Sequence, residues 1–395
     1  MKNVLKMGCY MALATLMSCE QENKTIQPNP IAQVEEPTPE RTGKKKKIKL
    51  AILLDTSGSM GGLIEQAKNQ LWKMVMQLAK IKDQYGEDPE IELALYQYGN
   101  DELSMLDGYV EKISGFTSEL DEISEELFAL RINGGSEYCG TVIKSSLEEL
   151  NWSTNDSDLQ IIFIAGNEAF TQGNVPYGLA CNLAIEKGVF VNTVFCGDYD
   201  EGVQTLWKNG ALLTNGKYMN IDHDAHIIHY DSPYDDKIST LNSTLNQTYV
   251  GYGKYGYMKK QKQIEQDISS QSLGLANATK RYLSKGSKVY KNTQWDLVDA
   301  SDEKGFDIDK IEKENLPEEM QEMSRTDKIE YIRTQKEKRI EIKREMKVLS
   351  KSREKFVAQK RAEANDSTSN LDDVISSAIN EQAQSKYFIV EGDIN

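Results

Sequence analysis

Between Ile48 and Tyr249 the apolar positions follow two rhythms that take turns. Ile48-Lys49-Leu50-Ala51-Ile52-Leu53-Leu54 is a nearly continuous apolar run, as a strand covered on both faces requires. Leu63, Ala67, Leu71, Val75, Leu78 and Ile81 then recur at helical spacing and predict one amphipathic helix. Glu90 to Tyr98 alternates like a strand, and Gly108 to Ile113 reads as a short partner for it. Thr117 to Leu130 and Tyr138 to Leu150 read as helices, the first with acidic residues in its opening turns. Leu159 to Ala165 is a second buried strand, followed by a helix over Tyr177 to Lys187 and a strand from Val189 to Phe195. A helix near Val203 to Leu213, a strand at Lys217 to Ile221 and a helix over Asp235 to Tyr249 complete the series.

This alternation predicts an α/β fold, a mostly parallel sheet with helices on both faces. Ligands of such sheets bind outside the carboxyl ends of the strands. Beyond Tyr249 the pattern changes. Tyr249 to Tyr257 alternates Gly and Tyr like an irregular connector, and Lys259 to Lys285 reads as helical. Leu316 to Asn365 is highly charged with a sparse apolar stripe that includes Ile332, Ile342 and Met346. It predicts a long helix or helical hairpin, with a coiled coil as one option, although the heptad breaks at Arg353. Asp366 to Asn370 reads as a linker and Leu371 to Gln384 as a last amphipathic helix. The expected organisation is therefore a sheet domain over 48–249, a helical region over 250–365, and a linker with a terminal helix over 366–395.

The ends and the charge refine this picture. Lys2 and Lys6 precede a short, mostly apolar stretch from Met7 to Met17, too short to span a bilayer and typical of a removable export signal over 1–18. Its ending, Leu16-Met17-Ser18-Cys19, resembles the bacterial lipobox, which implies lipidation of Cys19 and a place in the bacterial cell envelope, at the periplasmic face or cell surface. Residues 19–47 are polar, Pro-containing and end in Lys44-Lys45-Lys46-Lys47, the composition of a disordered tether. A net charge of −15 argues against binding a phosphate backbone, so nucleic acid is not an expected partner. Cys139, Cys181 and Cys196 would remain in an oxidising compartment, either as one disulfide with one free thiol or as three buried thiols.

The candidate chemistry lies at the end of the first strand. Asp55-Thr56-Ser57-Gly58-Ser59 places one carboxylate and two hydroxyls on alternating loop positions ahead of a helix. Hard oxygen donors in small number suit Mg²⁺ or another divalent cation, which would retain waters and take a carboxylate from a partner as its last ligand.

This segment resembles the D-x-S-x-S element of von Willebrand factor type A (VWA) domains, the metal-ion-dependent adhesion site (MIDAS). The resemblance covers Ile48 to roughly Tyr249, about half of the chain, and in combination with the lipobox the chain also resembles a group of bacterial VWA lipoproteins. It implies a Rossmann-like VWA sheet and a cation held by Asp55, Ser57 and Ser59. It also implies a third element in a Gly-rich loop, where Asn133-Gly134-Gly135-Ser136-Glu137-Tyr138 stands; Ser136 would replace the usual Thr, and Glu137 could add a carboxylate. The fourth element of the family is an Asp after the next strand. Here Ile164-Ala165-Gly166-Asn167-Glu168 has Gly166 in its place, with Asn167 or Glu168 as the nearest substitutes.

Other chemistry finds little support. His223, His226 and His229 cluster beside Asp222, Asp224 and Asp231, which suits either a transition-metal site or a polar surface loop. A G-x-S-x-G elbow, a phosphate-binding loop and an H-E-x-x-H helix are all missing from the sequence, so no enzymatic activity is expected. The Lys- and Arg-rich stretch from Arg333 to Lys360 is interleaved with Glu and reads as a solvated helix face. The expectation is an envelope lipoprotein that binds a protein partner presenting an acidic residue through Mg²⁺. The rival is a scaffolding lipoprotein with a degenerate metal site, whose C-terminal helices make the contacts.

Overall fold

The structure, a computed structural model, describes residues 45–221, 230–364 and 371–391. Eight strands and thirteen helices occur among these residues. The sheet region begins with β1 (Lys47–Asp55), α1 (Gly61–Leu78), β2 (Ile81–Lys82), β3 (Glu90–Tyr98) and β4 (Val110–Thr117). It continues through α2 (Leu120–Ala129), α3 (Cys139–Glu149), β5 (Leu159–Gly166), α4 (Tyr177–Glu186) and β6 (Phe190–Cys196). Then come α5 (Tyr199–Gln204), α6 (Trp207–Leu213), β7 (Tyr218–Ile221) and α7 (Asp235–Gln247). The C-terminal part holds α8 (Gly256–Ser272), α9 (Leu275–Gly286), α10 (Leu297–Ala300), α11 (Glu318–Gln321), α12 (Arg325–Glu363), α13 (Leu371–Ser385) and β8 (Ile389–Val390).

Six strands form one sheet in the order β4-β3-β1-β5-β6-β7, parallel throughout except for the β3–β4 pair at one edge. The two-residue period of a strand divides β1 between two cores. Ala51 and Leu53 pack with α3, α4 and α6, while Ile48, Leu50, Ile52 and Leu54 pack with α1 and α2. Both faces of β1 are thus dry, which explains its unbroken apolar run.

The second of these cores does not end with the sheet domain. Ala278 and Tyr282 of α9, Ile342 and Met346 of α12, and Ile375 and Ile379 of α13 belong to the same cluster as Leu71 and Trp72 of α1. The C-terminal helices therefore form a third layer over α1 and α2, and the described residues from Lys45 onward share one compact unit. The apolar stripe of α12 is used in this layer: its buried residues Ile332, Arg339, Ile342 and Met346 face the same chain, which removes the need for a coiled-coil partner there. Arg339 is itself held inside, by Asp296 at 2.6 Å and by the carbonyl of Thr248 at 2.7 Å.

Several element boundaries differ from the sequence pattern. The first helix stops at Leu78, and Ile81 instead enters β2, which pairs antiparallel with β8. The single helix expected over Lys259 to Lys285 is two, because Gly274 adopts φ +102 between α8 and α9. The helix expected near Val203 to Leu213 is split into α5 and α6 at Leu206, which has φ 72. The tether ends earlier than expected, since Lys46 is buried and donates to the carbonyl of Lys386 at 2.8 Å. Cys139, Cys181 and Cys196 are all buried free thiols, so the disulfide alternative is not realised. No described helix is long and apolar enough to cross a membrane.

Candidate metal centre

Asp55 is the last residue of β1 and stands opposite Tyr98, the last residue of β3, at the carboxyl edge of the sheet. Parallel neighbours on both sides fix where its side chain emerges. The chain then turns. Thr56 is tied to the neighbouring strand, its N–H and its hydroxyl both reaching the carbonyl of Tyr98, at 2.8 and 3.2 Å. The backbone N–H of Ser57 donates back to Asp55 Oδ1 at 2.7 Å, and the N–H of Met60 to the carbonyl of Ser57 at 3.1 Å. This leaves Ser57 and Ser59 as the loop's paired hydroxyls, their Oγ atoms 3.2 Å apart. The alternation of the motif is thus physical: the intervening Thr56 anchors the turn and the serines line it.

Two further loops close on this turn. The N–H of Asn133 donates to the carbonyl of Thr56 at 3.0 Å, which docks the Gly-rich loop against it. Glu137 from that loop is buried, and its side chain stands beside that of Asp55. The close approach depends on Gly99: a Cβ there would sit 2.7 Å from Asp55 Oδ1 and 2.9 Å from Cγ of Glu137. From the end of β5, the backbone N–H of Glu168 donates to Glu137 Oε2 at 3.2 Å, while Asn167 Nδ2 donates to Ser59 Oγ at 2.9 Å. Tyr98 Oη donates to the carbonyl of Ala165 at 2.9 Å and Trp207 Nε1 to that of Glu168 at 2.7 Å, so this loop is held at both ends.

The electrostatics follow from the geometry. Burial first, and then the neighbouring Glu137 carboxyl, push the Asp55 carboxyl up to about 9, against the opposing N–H of Ser57. Asp55 Oδ2 is buried and has no hydrogen-bond partner. An unpaired buried carboxylate oxygen is costly, and a second carboxyl beside it makes it more so. A cation among these oxygens would remove both costs. The donor set is two carboxylates and two hydroxyls, all hard oxygens, and Ser59 is exposed so that the turn opens to solvent. These residues fit a small divalent ion.

The residues singled out from sequence are not all gathered here. Asp55, Ser57 and Ser59 come together. Ser136 is half-buried in the docked loop, and no hydrogen bond joins its hydroxyl to those three. Glu168 is exposed and contributes its backbone N–H, whereas Glu137 brings the acid. Among the described residues no three His, Cys, Asp or Glu side chains converge, so Asp55 and Glu137 stand as a pair. Tyr98 was not legible as a site residue. Nothing in a strand-end Tyr distinguishes it from core until the parallel register brings its hydroxyl to Ala165. His223, His226 and His229 lie outside the described residues, as do Cys19 and the export signal.

No family model matches the sequence. No curated protein is significantly similar to it. Solved structures similar to this chain include BatB from Bacteroides thetaiotaomicron, at 15% identity over 44% of this chain and 90% of that one, with a TM-score of 0.35. The SpRpn10 VWA domain is 14% identical over 45% of this chain and 90% of its own, with a TM-score of 0.33. Proximal thread matrix protein 1 from the mussel byssus, with a zinc-occupied MIDAS motif, is 16% identical over 46% of this chain and 43% of that one, with a TM-score of 0.33. The match thus spans less than half of the mussel protein's length. The sheet order with its one antiparallel edge, and the Asp55-Thr56-Ser57-Gly58-Ser59 turn closing an interior parallel strand, make this a mostly parallel, Rossmann-like α/β fold carrying an added C-terminal helical layer.

Proposed function

We propose that this chain is a binding module of the bacterial cell envelope, anchored by lipid on Cys19, that grips a protein partner through a divalent cation, Mg²⁺ by preference. Asp55, Ser57 and Ser59 would hold the ion at the carboxyl edge of the sheet. When bound, the ion supplies a Lewis-acidic position that accepts an oxygen ligand from outside the chain, and an acidic side chain of the partner suits it. The chain's own residues do the rest. Thr56 pins the turn to β3, the N–H of Ser57 orients Asp55, and Asn167 orients the Ser59 hydroxyl.

The observation that carries this reading is the buried, unpartnered Oδ2 of Asp55 in a cluster made only of oxygen donors. Titration calorimetry with MgCl₂ tests it, comparing the wild type with Asp55→Ala. Heat from the wild type and none from the variant is expected; two silent titrations would sink the proposal. The anchor is tested separately by metabolic labelling with a radioactive fatty acid. Label should enter the full chain and be lost in Cys19→Ser, and equal labelling of the two would remove the envelope assignment.

A further inference from the structure

The family pattern places the second acid of such a centre directly after the strand that ends at Gly166, and this chain has none there. Gly166 is not a position at which an Asp could simply be restored. A Cβ on it would lie 2.5 Å from the hydroxyl of Tyr98, 3.1 Å from the Trp207 ring and 3.2 Å from Asp55 Oδ2. Tyr98 and Trp207 are both fully buried and both hydrogen-bonded to this loop, so neither can retreat without breaking a bond. The space an aspartate would need is filled.

The missing carboxylate is found on another loop. Glu137 is 3% exposed, and its backbone N–H is fixed by Gln172 Oε1 at 2.5 Å. Its Oε2 receives the N–H of Glu168, the second residue after Gly166, so the carboxylate has come to the end of β5 from outside. It also stands beside Asp55, since a Cβ on Gly99 would lie 2.9 Å from Glu137 Cγ and 2.7 Å from Asp55 Oδ1, and Asp55 Oδ2 is buried and lacks any donor. Two acids pressed together out of water, with one oxygen unsatisfied, are an arrangement that a divalent cation completes. Glu168, the acid nearest in sequence, is exposed and is bound into the loop through its backbone.

We infer that Glu137, carried by the Gly-rich loop before α3, is the second carboxylate ligand of this centre, and that Glu168 is not a ligand. The inference rests on the cation reading above and adds to it the source of the second acid. It makes cation affinity depend on the docking of residues 133–138 as much as on the turn after β1. It also predicts that an acid at position 166 cannot replace Glu137.

The test is Mg²⁺ and Mn²⁺ titration of the whole chain by calorimetry, with Asp55→Asn, Glu137→Gln, Glu168→Gln and the double variant Glu137→Gln/Gly166→Asp. Glu137→Gln should lose affinity by about tenfold or more, and so should Asp55→Asn. Glu168→Gln should stay within about twofold of wild type. The double variant should not recover. Thermal unfolding in EDTA is the second readout. Because Asn and Gln keep the size of the acids they replace, neither Asp55→Asn nor Glu137→Gln should melt much below the wild type. Normal binding by Glu137→Gln beside a silent Asp55→Asn would overturn the inference while leaving the cation site in place, and so would recovery in the double variant. A drop of about 5 °C or more for Glu137→Gln in EDTA would also overturn it, by marking Glu137 as a structural acid. A silent wild type would instead remove the cation reading itself, and the inference with it.

Discussion

Arg281 of α9, fully buried, donates from Nη1 to Asp121 of α2 at 2.8 Å, and this bond joins the C-terminal layer to the helices of the sheet. The same guanidinium donates to Asp267 at 2.7 Å and to the carbonyl of Gln263 at 2.8 Å, and lies over the Trp72 ring of α1. All of its donors are directed inward. Removing one member of a buried ion pair leaves the other's charge uncompensated. Arg281→Met should therefore cost about 3–5 kcal/mol, read as a shift of the urea midpoint at unchanged slope. A variant as stable as the wild type would mean that this buried pair does not hold the two layers together.

Acid sensitivity should trace to Asp267. Burial alone would raise its carboxyl, but Lys285 and Arg281 outweigh burial and hold it well below its ordinary value of 3.8. Because the folded value is depressed, the stabilisation is fully present above the unfolded value. It is lost as pH falls below about 4 and on through the folded value. In Asp267→Asn this acid limb should flatten, while stability at neutral pH falls because Arg281 and Lys285 lose a shared partner. Parallel acid limbs for variant and wild type in pH-dependent urea unfolding would refute this.

Cutting the chain after Tyr249 should not yield an intact sheet domain. Trp72, Val75 and Leu78 of α1 share a core with Tyr282, Ile375 and Ile379. Exposing that surface creates a large apolar patch of the kind monomeric proteins rarely carry. A fragment of residues 45–249 is expected to aggregate in size-exclusion chromatography. A monomeric fragment that melts like the full chain would show that the layers fold independently.

Gly166→Ala isolates the steric part of the site. Its methyl would press on the Tyr98 hydroxyl, and overpacking of this kind costs about 1–3 kcal/mol in chemical denaturation. An unchanged midpoint would show that the end of β5 can move outward freely.

The C-terminal end is a clasp. Phe388 is 3% exposed, with Lys46 Nζ 4.4 Å from its ring centroid, and β8 beside it pairs with β2. Phe388→Ala should cost about 3–5 kcal/mol in the same denaturation assay. A loss below about 1 kcal/mol would show that the end of the chain is dispensable.

Much of this molecule can be read without coordinates, because strands and helices announce themselves through local periodicity. β1, β3, β5 and β6 fall within a residue or two of the runs that predict them, and the Asp55-Thr56-Ser57-Gly58-Ser59 turn lies between a buried strand and a helix, as its spacing requires. What stayed hidden depends on partners distant in sequence. Ile81 continues the spacing of α1, yet it pairs with Val390 across the length of the chain. The stripe of α12 fits a coiled coil equally well until α7 and α9 are placed against it.

The candidate site divides along the same line. The sequence by itself determined the chemistry of one loop, a carboxylate with two hydroxyls, since those residues are neighbours and a strand-to-helix turn brings them together. Only the tertiary structure decided which second acid meets Asp55. Glu137 and Glu168 are hard to tell apart in one dimension, because each stands two residues after a glycine and each lies near the end of an element. The parallel register places Tyr98 beside Gly166 and fills the space after β5, while Gly99 leaves room for Glu137 beside Asp55. Steric exclusion and burial are properties of the packed sheet edge, and no local pattern encodes them.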